Sequence, residues 1–151
     1  VQSAHDIIRH VMDGVELARR HRLPDAIVDF IRSHHGTTCV RYFYSQFLKE
    51  GGDPEAIHEF TYDGMKPRTK AQIIVMLCDS VEAASRTLRE STPEAFSRFV
   101  ESIVAGKMEE GQFDNADVSI SELNTIKETL KQYLAQINHE RVVYPKSKLN
   151  K

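Results

Sequence analysis

The stretch PDAIVDFIRSHHG, Pro24 to Gly36, decides the fold. Proline at its first turn and glycine past its last are the usual punctuation of a helix. From Ile27 the core-facing stripe runs through Ile31 to His34 and His35, the i, i+4, i+7, i+8 pattern of an amphipathic helix. Two neighbouring imidazoles therefore end on the apolar side. One inward histidine is commonly satisfied by a single hydrogen bond, whereas two together must both be desolvated, which is costly unless something binds both nitrogens. A metal ion meets that requirement.

Helical signals extend in both directions. Upstream, Ser3 is placed to cap a helix running to about Arg20, with Ile7, Ile8, Val11, Val15 and Ala18 at helical spacing. Downstream, a third helix is expected from near Thr38, carrying Val40, Tyr42, Phe43, Phe47 and Leu48 until Gly51 and Gly52 stop it. Residues 51–68 contain Pro54, Gly64 and Pro67 and read as a loop with a turn or two of helix near Ala56, a candidate lid or binding loop. Thr69 caps the most apolar helix, to about Glu90, Pro93 starts another ending near Gly106, and a short helical turn is expected over Met108 to Asp114. Ser119 and Glu122 form a capping box for a long helix with Leu123, Ile126, Leu130, Leu134 and Ile137 on one face. No segment alternates as a strand does, so the expected class is all-α. The lysine-rich end, residues 145–151, is expected to fray.

Composition narrows the function. A chain of 151 residues suffices for one domain that buries roughly two thirds of its unfolded surface. Twenty basic against 22 acidic residues leave a net charge of −2, which offers no field for a DNA or RNA duplex or an anionic membrane. Cys39 and Cys78 lack metal-finger spacing, and the apolar run around Cys78 suggests a buried, reduced thiol. The longest apolar stretch, Ile73 to Leu77, is too short to span a bilayer. The start at Val1, already close to a helical pattern, suggests an excerpt of a longer chain.

Four residues stand out as a possible ligand set. Asp79 lies mid-helix in AQIIVMLCDSVEAA, where a carboxylate needs a cation, an arginine or several donors; Arg86, two turns on, is one partner and a metal ion is another. His10 sits at the edge of the first helix's stripe, one turn before Gly14, and reads either as a core-edge residue bonded to a backbone carbonyl or as a ligand. His10, His34, His35 and Asp79 are the imidazoles and carboxylate on core-facing sides of three helices, a nitrogen and oxygen set suited to hard metals; no thiolate joins them, which argues against structural zinc. His5 and Asp6 imitate a metal dyad, yet no glycine turn follows and Asp6 reads as a first-turn acid; His21, His58 and His139 fall in polar surroundings.

Five blocks carry a family resemblance: SAHDIIRHVMDGVELA (Ser3 to Ala18), IRSHHGTT (Ile31 to Thr38), YFY (Tyr42 to Tyr44), MLCDSVEAASR (Met76 to Arg86) and HERVVYP (His139 to Pro145). Over nearly its whole length the chain resembles the membrane-anchored HD-superfamily phosphohydrolases that hydrolyse cyclic di-AMP, in which a seven-helix membrane region precedes a cytoplasmic HD domain. The resemblance implies an HD-type helical bundle over residues 1–144, amino-terminally incomplete, from a parent protein anchored at the cytoplasmic face of the membrane. It implies two divalent ions, iron or manganese, with His10, His34 and His35 matching ligands of one and Asp79 matching a ligand of the other. The family's first metal histidine and its HD dyad would lie upstream of the segment corresponding to Ser3, so the stretch present is expected to hold one ion or none. One departure is Tyr62-Asp63-Gly64-Met65, where such proteins often have Tyr-Pro-Gly-Pro.

The implied activity is hydrolysis of cyclic di-AMP to linear pApA by a hydroxide generated between the two ions. On that reading Gly36 and Thr37 are placed to offer amides or a hydroxyl to phosphate, Arg86 to orient Asp79 or reach substrate, and Tyr42, Tyr44 and Tyr62 to stack on adenine. Packing or plain exposure is the other reading of each aromatic. Two alternatives stand beside the phosphodiesterase: a non-catalytic helical domain that binds a nucleotide or a partner, its histidines retained to hold the fold, and an HD hydrolase of another nucleotide.

Overall fold

Six α-helices and one 3-10 helix make up the computed structural model, which describes residues 1–141. The expected frayed tail, the end of the HERVVYP block from residue 142, and the side chain of His139 lie outside the described residues. Helix α1 spans Gln2–Arg20 and α2 Asp25–Ser33; the chain reverses between them through Arg22, which takes a positive φ of 55°. Val15, Ala18 and Val28 form their shared apolar seam, with Ile31 packed against it. Gly14 makes room there, since a Cβ would stand 3.0 Å from Ile31 Cγ2. The other helices are α3 Arg41–Lys49, the 3-10 helix Pro54–Phe60, α4 Lys70–Ser85, α5 Pro93–Glu109 and α6 Ile120–Arg141. Among the described residues there is no strand, only an isolated antiparallel bridge between Cys39 and Thr61, and the all-α expectation holds.

The main core lies between α4, α5 and α6. Ile73, Met76, Leu77 and Val81 of α4 meet Phe96, Val100 and Val104 of α5 and Leu123, Leu130 and Leu134 of α6. Each large aliphatic side chain so buried contributes about 1.5–3 kcal/mol, which outweighs any single helix preference. Chemical punctuation then fixes the helix ends. Thr69 Oγ1 accepts from the Gln72 amide at 3.2 Å, Thr92 Oγ1 accepts from the Ala95 amide at 3.2 Å, and Ser119 and Glu122 exchange both capping-box bonds, at 2.9 and 3.1 Å.

Several boundaries differ from the sequence reading. Ser3 does not cap α1, which starts at Gln2 with Val1 at the cap position, so Asp6 lies beyond the first turn and accepts from Gln2. Helix α4 stops at Ser85 rather than near Glu90, as Ser85 and Thr87 turn their hydroxyls onto the carbonyls of Glu82 and Ala84. Helix α5 passes Gly106 and ends at Glu109, because the chain turns at Gly111, whose φ is 67°. Within α2 the buried residues are Val28 and Ser33, and Ile27 is exposed.

The largest difference concerns residues 34–40 and 60–65. The third helix does not begin near Thr38, because Thr38 and Val40 instead pair with the loop: Val40 N–H donates to the Phe60 carbonyl at 2.7 Å and Tyr62 N–H to that of Thr38 at 2.9 Å. Met65 N–H donates to the Arg32 carbonyl at 2.9 Å, and Phe60, Tyr62, Met65 and Pro67 are buried. The second half of the expected lid or binding loop is therefore seated as a wall against the turn after α2. Gly64 makes this seating possible, since a Cβ there would lie 2.5 Å from the Arg32 carbonyl oxygen and closer still to that of Gly36. Backbone atoms cannot rotate aside as a side chain would. Gly64→Ala should accordingly cost roughly 1–3 kcal/mol, the usual range for overpacking, seen as a lower urea midpoint with an unchanged slope.

Candidate metal centre

Helix α2 ends one residue short of the histidine pair, with His34 as its C-cap, and Gly36 then turns the chain through a φ of 56°. A Cβ at Gly36 would run into the Gln112 side chain and stand 2.8 Å from Met76 Cε. Buried Gln112 braces the turn: its Oε1 accepts from Thr37 N–H at 3.0 Å, and its amide donates to Thr37 Oγ1 and to the Glu110 carbonyl, both at 3.1 Å. The Gly36 amide donates to the Ser33 carbonyl at 3.0 Å. The amides of Gly36 and Thr37, expected to face a phosphate, are thus engaged in holding the turn.

That turn meets His10 from α1. His10 Nε2 lies 3.1 Å from His34 Nε2, and one ring nitrogen from each of His10, His34 and His35 falls within 4.8 Å of the others. The backbone decides which nitrogens carry hydrogen. Nδ1 of His10 faces the Ile7 carbonyl and Nδ1 of His34 stands 2.7 Å from the Ile31 carbonyl; a carbonyl only accepts, so each Nδ1 donates. In the neutral rings both facing Nε2 atoms then present lone pairs, which repel unless a cation lies between them. Carbonyl-oriented imidazoles are also how proteins prepare histidine as a ligand. The carbonyl-bonded reading and the ligand reading of His10 are compatible, each using a different nitrogen. This nitrogen-rich, thiolate-free donor set fits a divalent transition ion.

Burial, reinforced by the neighbouring His34, His10 and Lys107, pushes the His35 pKa down to about 3, so the ring is neutral at physiological pH. Its Nδ1 stands 3.5 Å from Asp79 Oδ2, a polar contact rather than an ion pair of opposite charges. Tyr62 stacks on the other side of His35, with ring centroids 4.3 Å apart and planes inclined by 20°. Burial and then the Asp79 charge push the Tyr62 hydroxyl up to about 12, keeping it protonated.

Not every predicted residue gathers here. Asp79 reaches His35 but stands outside the three-nitrogen cluster, and its side chain is 42% exposed instead of enclosed by apolar neighbours. Arg86 does not reach Asp79; it pairs with Glu82 one turn away at 2.9 Å, which removes the expected salt bridge and the orienting role. Tyr42 is 69% exposed and packs edge-on against Phe43, while Tyr44 donates to the Pro54 carbonyl at 2.9 Å and packs on Phe60. Cys78 is exposed, contrary to the buried thiol expected. His5, His21 and His58 are exposed, and so is His10, which reaches the cluster from the rim of α1 and not from the core-facing side expected. Sequence reasoning missed Gln112 and Lys107. Gln112 carries no periodic signal, but Lys107 continues the Val100, Ile103, Val104 stripe of α5, and a lysine on a buried stripe is a readable anomaly.

An all-helical bundle in which one ring nitrogen each from His10 of α1 and from His34 and His35 after α2 come together, with the Asp79 carboxylate beside His35, forms a candidate metal-binding centre. The chain is 39% identical over 145 residues, 96% of its length, to the cyclic-di-AMP phosphodiesterase PgpH of Bacillus subtilis (strain 168), and 35% identical over 147 residues to that of Listeria monocytogenes serotype 1/2a (strain 10403S). It spans about a fifth of the length of these curated relatives. The crystal structure of the L. monocytogenes PgpH HD domain in complex with cyclic-di-AMP superposes with a TM-score of 0.86 at 36% identity, covering 95% of this chain and 67% of that one. No protein-family model matches the chain. The chain belongs to the family of PgpH HD domains.

The neutral His35 has a consequence for stability. An unfolded chain takes up this proton near the ordinary value of 6.5 and the folded chain only near 3, so the unfolded state binds more protons between those limits. Stability of the chelator-treated protein should be intact above about pH 6.5 and decline as pH falls toward 3. Thermal denaturation at stepped pH reads this directly. His35→Asn should flatten that part of the profile, and an unchanged profile would assign the acid sensitivity elsewhere.

Proposed function

We propose that this domain is a metal-dependent phosphodiesterase that opens cyclic di-AMP to linear pApA. The observation that carries the reading is the pair of facing Nε2 atoms of His10 and His34, each with its Nδ1 anchored on a backbone carbonyl. Similarity to a PgpH HD domain bound to cyclic-di-AMP supports the substrate. His10, His34 and His35 would hold one ion and Asp79 would contribute to a second, completed by an HD dyad from sequence upstream; iron or manganese suits such nitrogen and oxygen donors. When bound, a pair of divalent cations supplies Lewis-acid polarisation of the phosphodiester and lowers the pKa of water.

The chain's own residues set up that chemistry. The Ile7 and Ile31 carbonyls hold His10 and His34 in the tautomer that offers Nε2, Tyr62 fixes the plane of His35, and Gln112 keeps the turn between α2 and α3 from shifting. Tyr62, buried against His35, serves to hold the imidazole plane, and of the three tyrosines expected to stack on adenine only Tyr42 leaves its ring exposed. The parent protein is read as membrane-anchored with this domain at the cytoplasmic face; among the described residues no helix is long and apolar enough to cross a membrane.

Metal content by plasma mass spectrometry, on this chain beside a version extended upstream by about half a domain, tests the proposal together with cyclic di-AMP turnover. Two ions with pApA production in the longer protein is the expected result. No metal in either version would leave a non-catalytic helical domain. His34→Ala should empty the histidine cluster while helical content by circular dichroism is retained, and should lower hydrolysis by more than the roughly 10–100-fold typical of losing an outer-shell partner. A His34→Ala protein with normal metal content would remove His34 from the ligand set.

A further inference from the structure

Helix α5 closes on a Schellman turn. Gly111 takes the left-handed conformation, its amide donates to the Met108 carbonyl at 2.9 Å, and the Gln112 amide donates to that of Lys107 at 3.0 Å. In this motif the residue after the glycine commonly packs an apolar side chain back on the helix. Here it is a glutamine, 1% exposed. Methionine or leucine would be buried there at a lower desolvation cost, so the side-chain amide is explained by what it holds. Two of its three hydrogen bonds go to Thr37: Oε1 accepts from the backbone amide at 3.0 Å, and Nε2 donates to the hydroxyl at 3.1 Å. The third is given to the Glu110 carbonyl, within its own turn.

The residue that needs this grip is His35. His10 and His34 are prepared by their own helices, since each turns Nδ1 onto the carbonyl three positions earlier. His35 lies past the end of α2, and among the described residues no backbone carbonyl bonds its ring, whose Nδ1 stands 3.5 Å from Asp79 instead. Its place beside the other two rings therefore follows the path of the backbone that leaves it. Thr38 returns its amide and its hydroxyl to the His35 carbonyl at 3.2 and 2.8 Å, so a hold on Thr37 is passed to His35 within two residues. We propose that Gln112 is a positioning residue of the metal centre, which grips Thr37 by both amide and hydroxyl and so sets the third imidazole against the His10–His34 pair. This rests on the metal reading above and not on the identity of the substrate. Arg41 and Glu110, 2.8 Å apart, tie the same two segments together, but the Arg41 side chain is 69% exposed and such pairs contribute little. That second tie is an internal control.

The test compares Gln112→Met, which keeps the buried volume and removes the hydrogen bonds, with Thr37→Val, which spares the backbone bond, and with Arg41→Gln. Titration of the chain with cobalt(II), followed by its visible absorption, reads the centre without turnover. Gln112→Met should weaken cobalt(II) binding about tenfold, the lower end of the range for losing an outer-shell partner. Thr37→Val should lose a smaller factor in the same direction, and it decides the test should Gln112→Met lose helical content. Arg41→Gln should change the affinity less than about twofold. In the metal-free protein, long-range proton–nitrogen correlation spectra should show His10 and His34 keeping hydrogen on Nδ1, with the His35 ring alone shifted in Gln112→Met. A lower melting temperature with unchanged cobalt(II) affinity and unchanged His35 resonances would leave Gln112 a structural residue and overturn the proposal, as would an equal loss of affinity in Arg41→Gln. If the wild type takes up no cobalt(II), the metal reading fails, and the positioning role stands or falls on the His35 resonances.

Discussion

Three backbone hydrogen bonds stitch the histidine turn to the 60–65 loop, and the placing of Tyr62 against His35 depends on them. Val40, Tyr62 and Met65 donate across the seam to carbonyls of Phe60, Thr38 and Arg32. The seam lays Tyr62 on His35, while Gly36 and Gln112 hold the turn after α2 from the other side. The glycine at 64 is the steric condition for the seam, because two carbonyl oxygens occupy the space that any side chain would need. Packing of the larger α4, α5, α6 core sets the platform, and the seam sets Tyr62 against His35.

Electrostatics at the centre follow from that position. Enclosure keeps His35 neutral, and the neighbouring rings and Lys107 act in the same direction. Neutral imidazole is the ligand form of histidine, so the burial that makes the cluster unfavourable to protonate also makes it ready for a cation. The two carbonyl contacts at Ile7 and Ile31 do the remaining work by choosing which nitrogen is free. These contacts need no dedicated residues: they come from the helix backbone three positions earlier, which is why a plain helical spacing of histidines could prepare the site.

Much of this was legible in the chain itself, and the legible part has a common character. Thr69, Pro93 and the Ser119–Glu122 box act on backbone groups within a few residues, so their effect survives any tertiary context. The convergence of His10, His34 and His35 was readable because helical periodicity places side chains on faces, and faces meet. Tertiary partners were not readable. Residues 38–40 look helical until Phe60 and Tyr62 take their hydrogen bonds, and Asp79 looks enclosed in one dimension because its solvent-side neighbours Ile74, Val75 and Cys78 are apolar yet exposed. Gln112 and Lys107 act across the fold on a turn some 70 residues away in sequence, a relation no local pattern encodes.

The loop sequence Tyr-Asp-Gly-Met also changes how the ordering of this segment is achieved. In the Tyr-Pro-Gly-Pro pattern that the resemblance leads one to expect here, two pyrrolidine rings would restrict the unfolded chain and lower the conformational entropy lost when the loop is seated. This chain has Tyr62 and Gly64 at the two positions whose side chain or lack of one touches the site, and Asp63 and Met65 where that pattern has proline. In return Met65 possesses an amide hydrogen, which proline lacks, and donates it to Arg32. The same wall is thus held by an enthalpic tie in the folded state instead of a restraint on the unfolded one, and its rigidity is conferred only once α2 is in place to receive it.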